Sequence, residues 1–137
     1  MKIEFFIPMI PPTVTHQEQK LSVRGGKPFV YEDAELKRTR VKLRDHLAGH
    51  RPQRPLTGAV MLVVKWCFPA GDRHLNGQYR ETKPDTDNLQ KLLKDVMTGL
   101  HFWKDDAQVA CEVVEKFWAD TPGLYVAMRE IYGDDDG

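Results

Sequence analysis

The sequence predicts an α+β fold, a small mixed β-sheet with two packed helices in the order β-α-β-α-β-β. Three observations predict it. Ile3, Phe5 and Ile7 alternate with Lys2, Glu4 and Phe6, and Val60, Leu62, Val64, Trp66 and Phe68 alternate in a later run, both at strand period. Leu89, Leu92, Leu93, Val96, Met97 and Leu100 share one stripe at helical spacing. Asp120-Thr121-Pro122-Gly123 is a turn signal joining two further strand-like runs, residues 109–118 and 124–131.

The elements follow in order. Pro8, Pro11 and Pro12 end the first strand. Residues 13–30 are polar and basic around Gly25-Gly26 and read as a loop. From about Glu32 to Ala48 the chain reads as a helix, with Leu36, Leu43 and Leu47 on one stripe and Gly49 as its stop. The strand 58–68 has apolar residues on its second face too (Ala59, Met61, Val63, Cys67), which predicts a central strand covered on both sides. Residues 69–84 form a second basic loop, and a helix runs from Asp87 to about Leu100. One domain is expected over residues 1–132, with an acidic, disordered tail at 133–137.

Composition bounds the rest. The 137 residues carry 20 Lys+Arg against 20 Asp+Glu, and no apolar run approaches the roughly 20 residues of a spanning helix, so no membrane role is expected. Glu4 interrupts what a signal peptide would need as an apolar core. Cys67 and Cys111 make no disulfide framework, and a cytoplasmic setting is expected. The zero net charge hides a division. Residues 1–104 hold 18 basic and 11 acidic residues, and residues 105–137 hold 2 and 9, so +7 faces −7. A basic face for nucleic acid is compatible with that division.

The chemistry concentrates in Lys83-Pro84-Asp85-Thr86-Asp87-Asn88-Leu89-Gln90-Lys91. Asp87 and Lys91 lie one turn apart on the face opposite the apolar stripe. Two readings stand. Asp87 as N-cap with Gln90 three residues on makes a form of capping box. Alternatively, Asp85 and Asp87 are oxygen ligands for a hard cation such as Mg²⁺, which takes a few carboxylates and keeps several waters. A second acidic pair, Asp105-Asp106, follows Phe102-Trp103-Lys104. A 14-residue helix is about 20 Å long, so Asp106 nears the first pair only if the chain doubles back. The plain alternatives are a solvated turn for the acids and core packing for Phe102 and Trp103.

Lys-Pro-Asp-Thr-Asp-Asn-Leu-Gln-Lys (83–91) followed by Phe-Trp-Lys-Asp-Asp-Ala-Gln-Val (102–109) strongly resembles RusA-type crossover-junction (Holliday-junction) endodeoxyribonucleases. The early Ile7…Pro11-Pro12 followed by a basic loop looks like that family too. The resemblance implies a Mg²⁺-dependent homodimer, with Mn²⁺ as a substitute ion, of a kind that is bacterial and often prophage-borne. Such enzymes resolve four-way DNA junctions in recombination and repair by paired, symmetric cuts. By motif position it implies catalytic, metal-binding carboxylates at Asp85, Asp87 and Asp106, and a functional lysine at Lys91. Hydrolysis of a phosphodiester needs an activated water, a stabilised leaving alkoxide and neutralised phosphate charge, which hard cations held by three carboxylates supply. The three carboxylates are then expected to line one groove, within about 4–8 Å of one another. Lys20, Arg24 and Lys27 in the basic loop, with Arg73, Arg80 and Lys83, are the expected contacts to the DNA backbone. Departures from the family pattern are Glu81-Thr82 where some relatives have arginines, and the absence of paired tyrosines from the first loop. Cutting of other branched DNA, or a non-catalytic DNA-binding dimer whose acids merely cap, are the competing readings.

Overall fold

The computed structural model describes residues 1–15, 19–24, 27–32 and 34–133, the two short middle segments by their backbone. Its elements are β1 (Lys2–Pro8), β2 (Gln19–Arg24), β3 (Lys27–Glu32), α1 (Ala34–Ala48), β4 (Val60–Pro69), α2 (Thr86–Gly99), a 3-10 turn (Asp106–Gln108), β5 (Val109–Ala119) and β6 (Gly123–Glu130). The main sheet has the order β1-β6-β4-β5. Only β4 and β5 are parallel. A parallel pair needs a long crossover, and α2 supplies it. The α+β class and the mixed sheet with two helices are those expected from the periodicities.

Two expectations change. The segment read as a loop at 13–30 contains a two-stranded antiparallel hairpin, β2–β3, with Arg24 opposite Lys27 at its turn. The hairpin was hidden because its strands are short and basic, with no apolar alternation long enough to read. The expected cover on both faces of β4 is the second change. Val60, Leu62, Val64, Trp66 and Phe68 are at most 1% exposed, while Met61, Val63, Lys65 and Cys67 keep intermediate exposure. The reason is topological: α1 and α2 pack against one another and the same sheet face, and the sequence supplies no third helix for the other. Phe6 and Val113 stay 41% and 42% exposed on that second face.

α2 explains how the chain returns to its own helix. Leu89, Leu92, Leu93, Val96 and Met97 are buried against the sheet. Leu100 is the C-cap, and His101 takes a left-handed φ of 64°. His101 N–H donates to Thr98 and Phe102 N–H donates to Met97, the paired bonds of a Schellman motif. The reversal drives Phe102 and Trp103 into the core at 0% exposure. The Trp103 indole donates to Thr98 Oγ1 at 2.7 Å. These two aromatics therefore serve core packing, as the plain reading of the sequence has it.

At the other end of β5, Gly123 permits β6 to close against β1. A Cβ placed there would lie 2.7 Å from the Ile7 carbonyl oxygen, which belongs to the backbone and cannot step aside. Gly123→Ala should lower stability by about 1–3 kcal/mol through this overpacking, measured as a reduced urea midpoint with an unchanged slope. An unaltered midpoint would show that the β1–β6 edge yields easily.

Candidate active site

The rotation of α2 is fixed by its buried stripe, and this aims the remaining side chains. A groove of about 400 Å³ runs along the helix flank toward β5. Thr86, Asp87, Gln90, Lys91, Lys94 and Asp95 line it from α2, Glu112 and Val114 from β5, and Asp106 from the turn between them. Asp87 and Asp106 are 19 residues apart in sequence and look into one groove, with Lys91 on its wall.

The turn carrying Asp106 is built by its neighbours. Asp105 is the N-cap of the 3-10 turn and its carboxylate accepts the Ala107 N–H at 2.9 Å. Gln108 completes a capping box by accepting the N–H of Asp105 at 3.1 Å and that of Lys104 at 2.9 Å. Its amide nitrogen donates to the carbonyls of Leu56 and Gly58, both at 3.0 Å, so the turn is tied to the segment leading into β4. The adjacent acids therefore divide their work. Asp105 is a structural cap, while the Asp106 carboxylate has no hydrogen bond or ion pair among the described residues.

The same distinction applies at the start of α2. The N-cap position falls on Asp85, not on Asp87, and Asp85 makes no side-chain cap bond. Its extended backbone, φ −73° and ψ 148°, places it just outside the helix. Asp87 lies in the first turn and makes no ion pair with Lys91. Capping and an i, i+4 pair, the plain readings of these residues, are thus not the bonds these side chains form. Acids here still suit the positive helix terminus.

Asp85 departs from the expected common groove. It is exposed and does not line the groove. It lies within electrostatic reach of Lys116 instead. Among the described residues no three His, Cys, Asp or Glu side chains come together as a metal cluster. The reason is local: Asp85 precedes the helix with an extended backbone, so its side chain does not share the direction of the first-turn residues. The donor set is nonetheless one a hard cation takes: carboxylate oxygens on exposed or half-exposed residues, none committed elsewhere.

Several groove residues carry no signal in the sequence. The buried Trp66 indole donates to Gln90 Oε1 at 2.8 Å. Gln90 Nε2 donates to Glu112 Oε2 at 2.9 Å, and Lys94 Nζ meets Glu112 Oε1 at 3.2 Å. Glu112 is thereby committed to a polar chain linking β4, α2 and β5. It sits on β5, away from any acidic motif, so only the β5 register could have revealed it.

The expected DNA contacts are scattered in their fates. Lys20, Arg24 and Lys27 lie in β2 and β3, and their side chains fall outside the described residues. Arg73 and Lys83 are exposed, Lys83 directly before the Pro84-Asp85 step. Arg80 is engaged internally. Its guanidinium donates to the Lys83 carbonyl and lies 4.2 Å from the Phe68 ring centroid and 4.5 Å from that of Trp118. Burial holds it below the usual arginine range.

The division between Asp105 and Asp106 is testable by unfolding. Asp105→Ala should cost about 1 kcal/mol through loss of the cap, whereas Asp106→Asn should leave the urea midpoint unchanged. Equal losses would mean that both acids are structural.

With this geometry in view, likeness to known proteins has a physical content. The chain matches the family model described as endodeoxyribonuclease RusA over residues 9–129. It is 27% identical over 133 residues to the crossover junction endodeoxyribonuclease rusA of Lactococcus phage r1t, covering 96% of this chain and all of that one. It is 31% identical over 121 residues to the uncharacterized protein YqaN of Bacillus subtilis (strain 168), covering 80% of this chain and 84% of that one. The family match spans both helices, the 3-10 turn, β4, β5 and β6 up to Arg129, and the chain belongs to the RusA endodeoxyribonuclease family.

Proposed function

We propose that the chain is a divalent-metal-dependent endodeoxyribonuclease that resolves four-way DNA junctions during recombination and repair, working as a cytoplasmic homodimer. The observation that carries this is the groove itself. Asp87 and Lys91 from one segment and Asp106 from another meet there uncommitted, while the adjacent acid Asp105 is used up as a cap. A merely structural set of acids would be spent on caps and ion pairs.

In this reading Asp85, Asp87 and Asp106 hold Mg²⁺, with Mn²⁺ as a substitute. A bound divalent ion supplies a water that is nucleophilic near neutral pH and offsets charge at the phosphate. The chain's own residues do the rest. Asp87 and Asp106, which line the groove, would hold the cation, and Asp85, just outside the helix start, would complete the carboxylate set. Lys91, one turn beyond Asp87, holds a non-bridging phosphate oxygen and orients the scissile group. Arg73 and Lys83, with Lys20, Arg24 and Lys27 of the hairpin, grip the backbone, which gives affinity that falls with salt and carries little sequence information. Arg80 contributes to DNA binding through the loop it shapes, since its guanidinium is occupied.

Two active sites related by a dyad would cut two strands symmetrically. The uncovered face of the main sheet, with Phe6 and Val113 exposed, supports association of two copies. Sedimentation should then give about twice the 15.8 kDa of one chain.

The reading is tested by comparing a four-way junction, a fork and linear duplex with Mg²⁺. The junction should be nicked in paired, symmetric positions and the duplex left whole. Asp85→Asn, Asp87→Asn and Asp106→Asn should each reduce cutting by at least about 100-fold, and Lys91→Met by a similar factor, with junction binding in Ca²⁺ retained. Wild-type cutting by Asp85→Asn would remove Asp85 from the metal site, and no cutting of any substrate by wild type with Mg²⁺ would refute the enzyme reading. Faster cutting of the fork would move the substrate to other branched DNA.

A further inference from the structure

One basic residue outside the matched motifs touches the segment that presents Asp85. Lys116 lies on β5, opposite Trp66 in the β4–β5 register, so its side chain is on the helix-covered side of the sheet. Its ammonium donates to two carbonyls of one loop, Thr82 at 2.7 Å and Pro84 at 2.8 Å. Pro84 is buried and immediately precedes Asp85. A second cation reaches the residue between them: Arg80 donates to the Lys83 carbonyl from between the Phe68 and Trp118 rings. Three consecutive carbonyls, 82 to 84, thus accept from two cations.

This is a costly way to hold a turn. Burial and the nearby Arg80 charge both push the Lys116 ammonium below its ordinary range, and the Asp85 carboxylate opposes them. A turn that needed order alone could use neutral donors. Charged donors make stronger bonds to carbonyls and also leave net positive charge beside the carboxylate that follows.

We propose that Lys116 is a positioning residue for the proposed metal site: by clamping the Thr82 and Pro84 carbonyls it fixes where the Asp85 carboxylate emerges. The proposal rests on the nuclease reading for its purpose but not for its geometry. Lys116 is not a catalytic residue, because it does not line the groove. It preorganises a ligand that sits apart from the other two acids, so that metal uptake need not order the loop first.

The test uses the full chain as wild type, Lys116→Met and Lys116→Arg. Methionine keeps the stem and removes the donors. Arginine restores a cation able to reach two carbonyls. Backbone ¹⁵N relaxation should show lower order parameters at residues 82, 83 and 85 in Lys116→Met, recovering in Lys116→Arg, and no change in residues 89–97 of α2. The Mg²⁺ concentration for half-maximal thermal stabilisation should rise about 10-fold in Lys116→Met alone, with junction affinity in Ca²⁺ unaltered. Unchanged order parameters at 82, 83 and 85 in Lys116→Met would overturn the proposal. So would a fall throughout α2, which would make Lys116 a general structural residue. If wild type takes up no Mg²⁺, the metal reading fails while the relaxation data still decide whether Lys116 positions the loop.

Discussion

The burial of α2 against β4 is the constraint on which the rest depends. Its stripe from Leu89 to Met97 shares one buried core with Val60, Leu62, Val64 and Trp66, so the helix has one rotation available. Fully burying each such side chain contributes about 1.5–3 kcal/mol, so a rotated helix would lose several of these at once. Given that rotation, Asp87, Lys91, Lys94 and Asp95 must face the flank toward β5. The parallel β4–β5 pairing then brings the chain back along the same flank, and Asp106 arrives there just before β5 begins. The site is therefore a consequence of core packing and strand order, not of local attraction between acids, which oppose one another.

A polar chain reinforces this rotation. Trp66, Gln90, Glu112 and Lys94 each contribute one link between β4, α2 and β5. A buried indole N–H left without Gln90 would lose about 1–3 kcal/mol, so the network favours this helix orientation over near alternatives. It also keeps Glu112 occupied inside the groove, which leaves Asp87 and Asp106 as the groove acids of the two matched motifs without partners among the described residues. On the far side of the site, Lys116 and Arg80 perform the equivalent service for the loop before Asp85.

Much of this was legible in the residues. The stripe of α2 and the alternation of β4 are long, regular patterns, and the buried set matches them. The hairpin in the first loop was not legible, because the alternation in β2 has only two apolar positions, Leu21 and Val23, set among polar and basic residues. Nor was the bare second face of β4: Met61, Val63 and Cys67 read as buried, and their half-exposure depends on where α1 and α2 land. In the site, the acids at 85, 87 and 106 were visible as a motif, but their separate commitments were not. That Asp105 caps and Asp106 does not is a matter of backbone direction in a three-residue turn. Glu112 and Lys116 belong to no local pattern and become visible only through the β4–β5 register.

The central claim is that acids from two distant segments serve one set of divalent ions in the groove beside α2. Paramagnetic broadening of backbone amides by substoichiometric Mn²⁺ tests it most directly, since the effect falls steeply with distance from the ion. The account predicts that amides at 85–91 and 106–108 broaden together at the lowest additions and recover on adding excess Mg²⁺. Broadening confined to one of these segments, or appearing first at the acidic run 134–136, would contradict it.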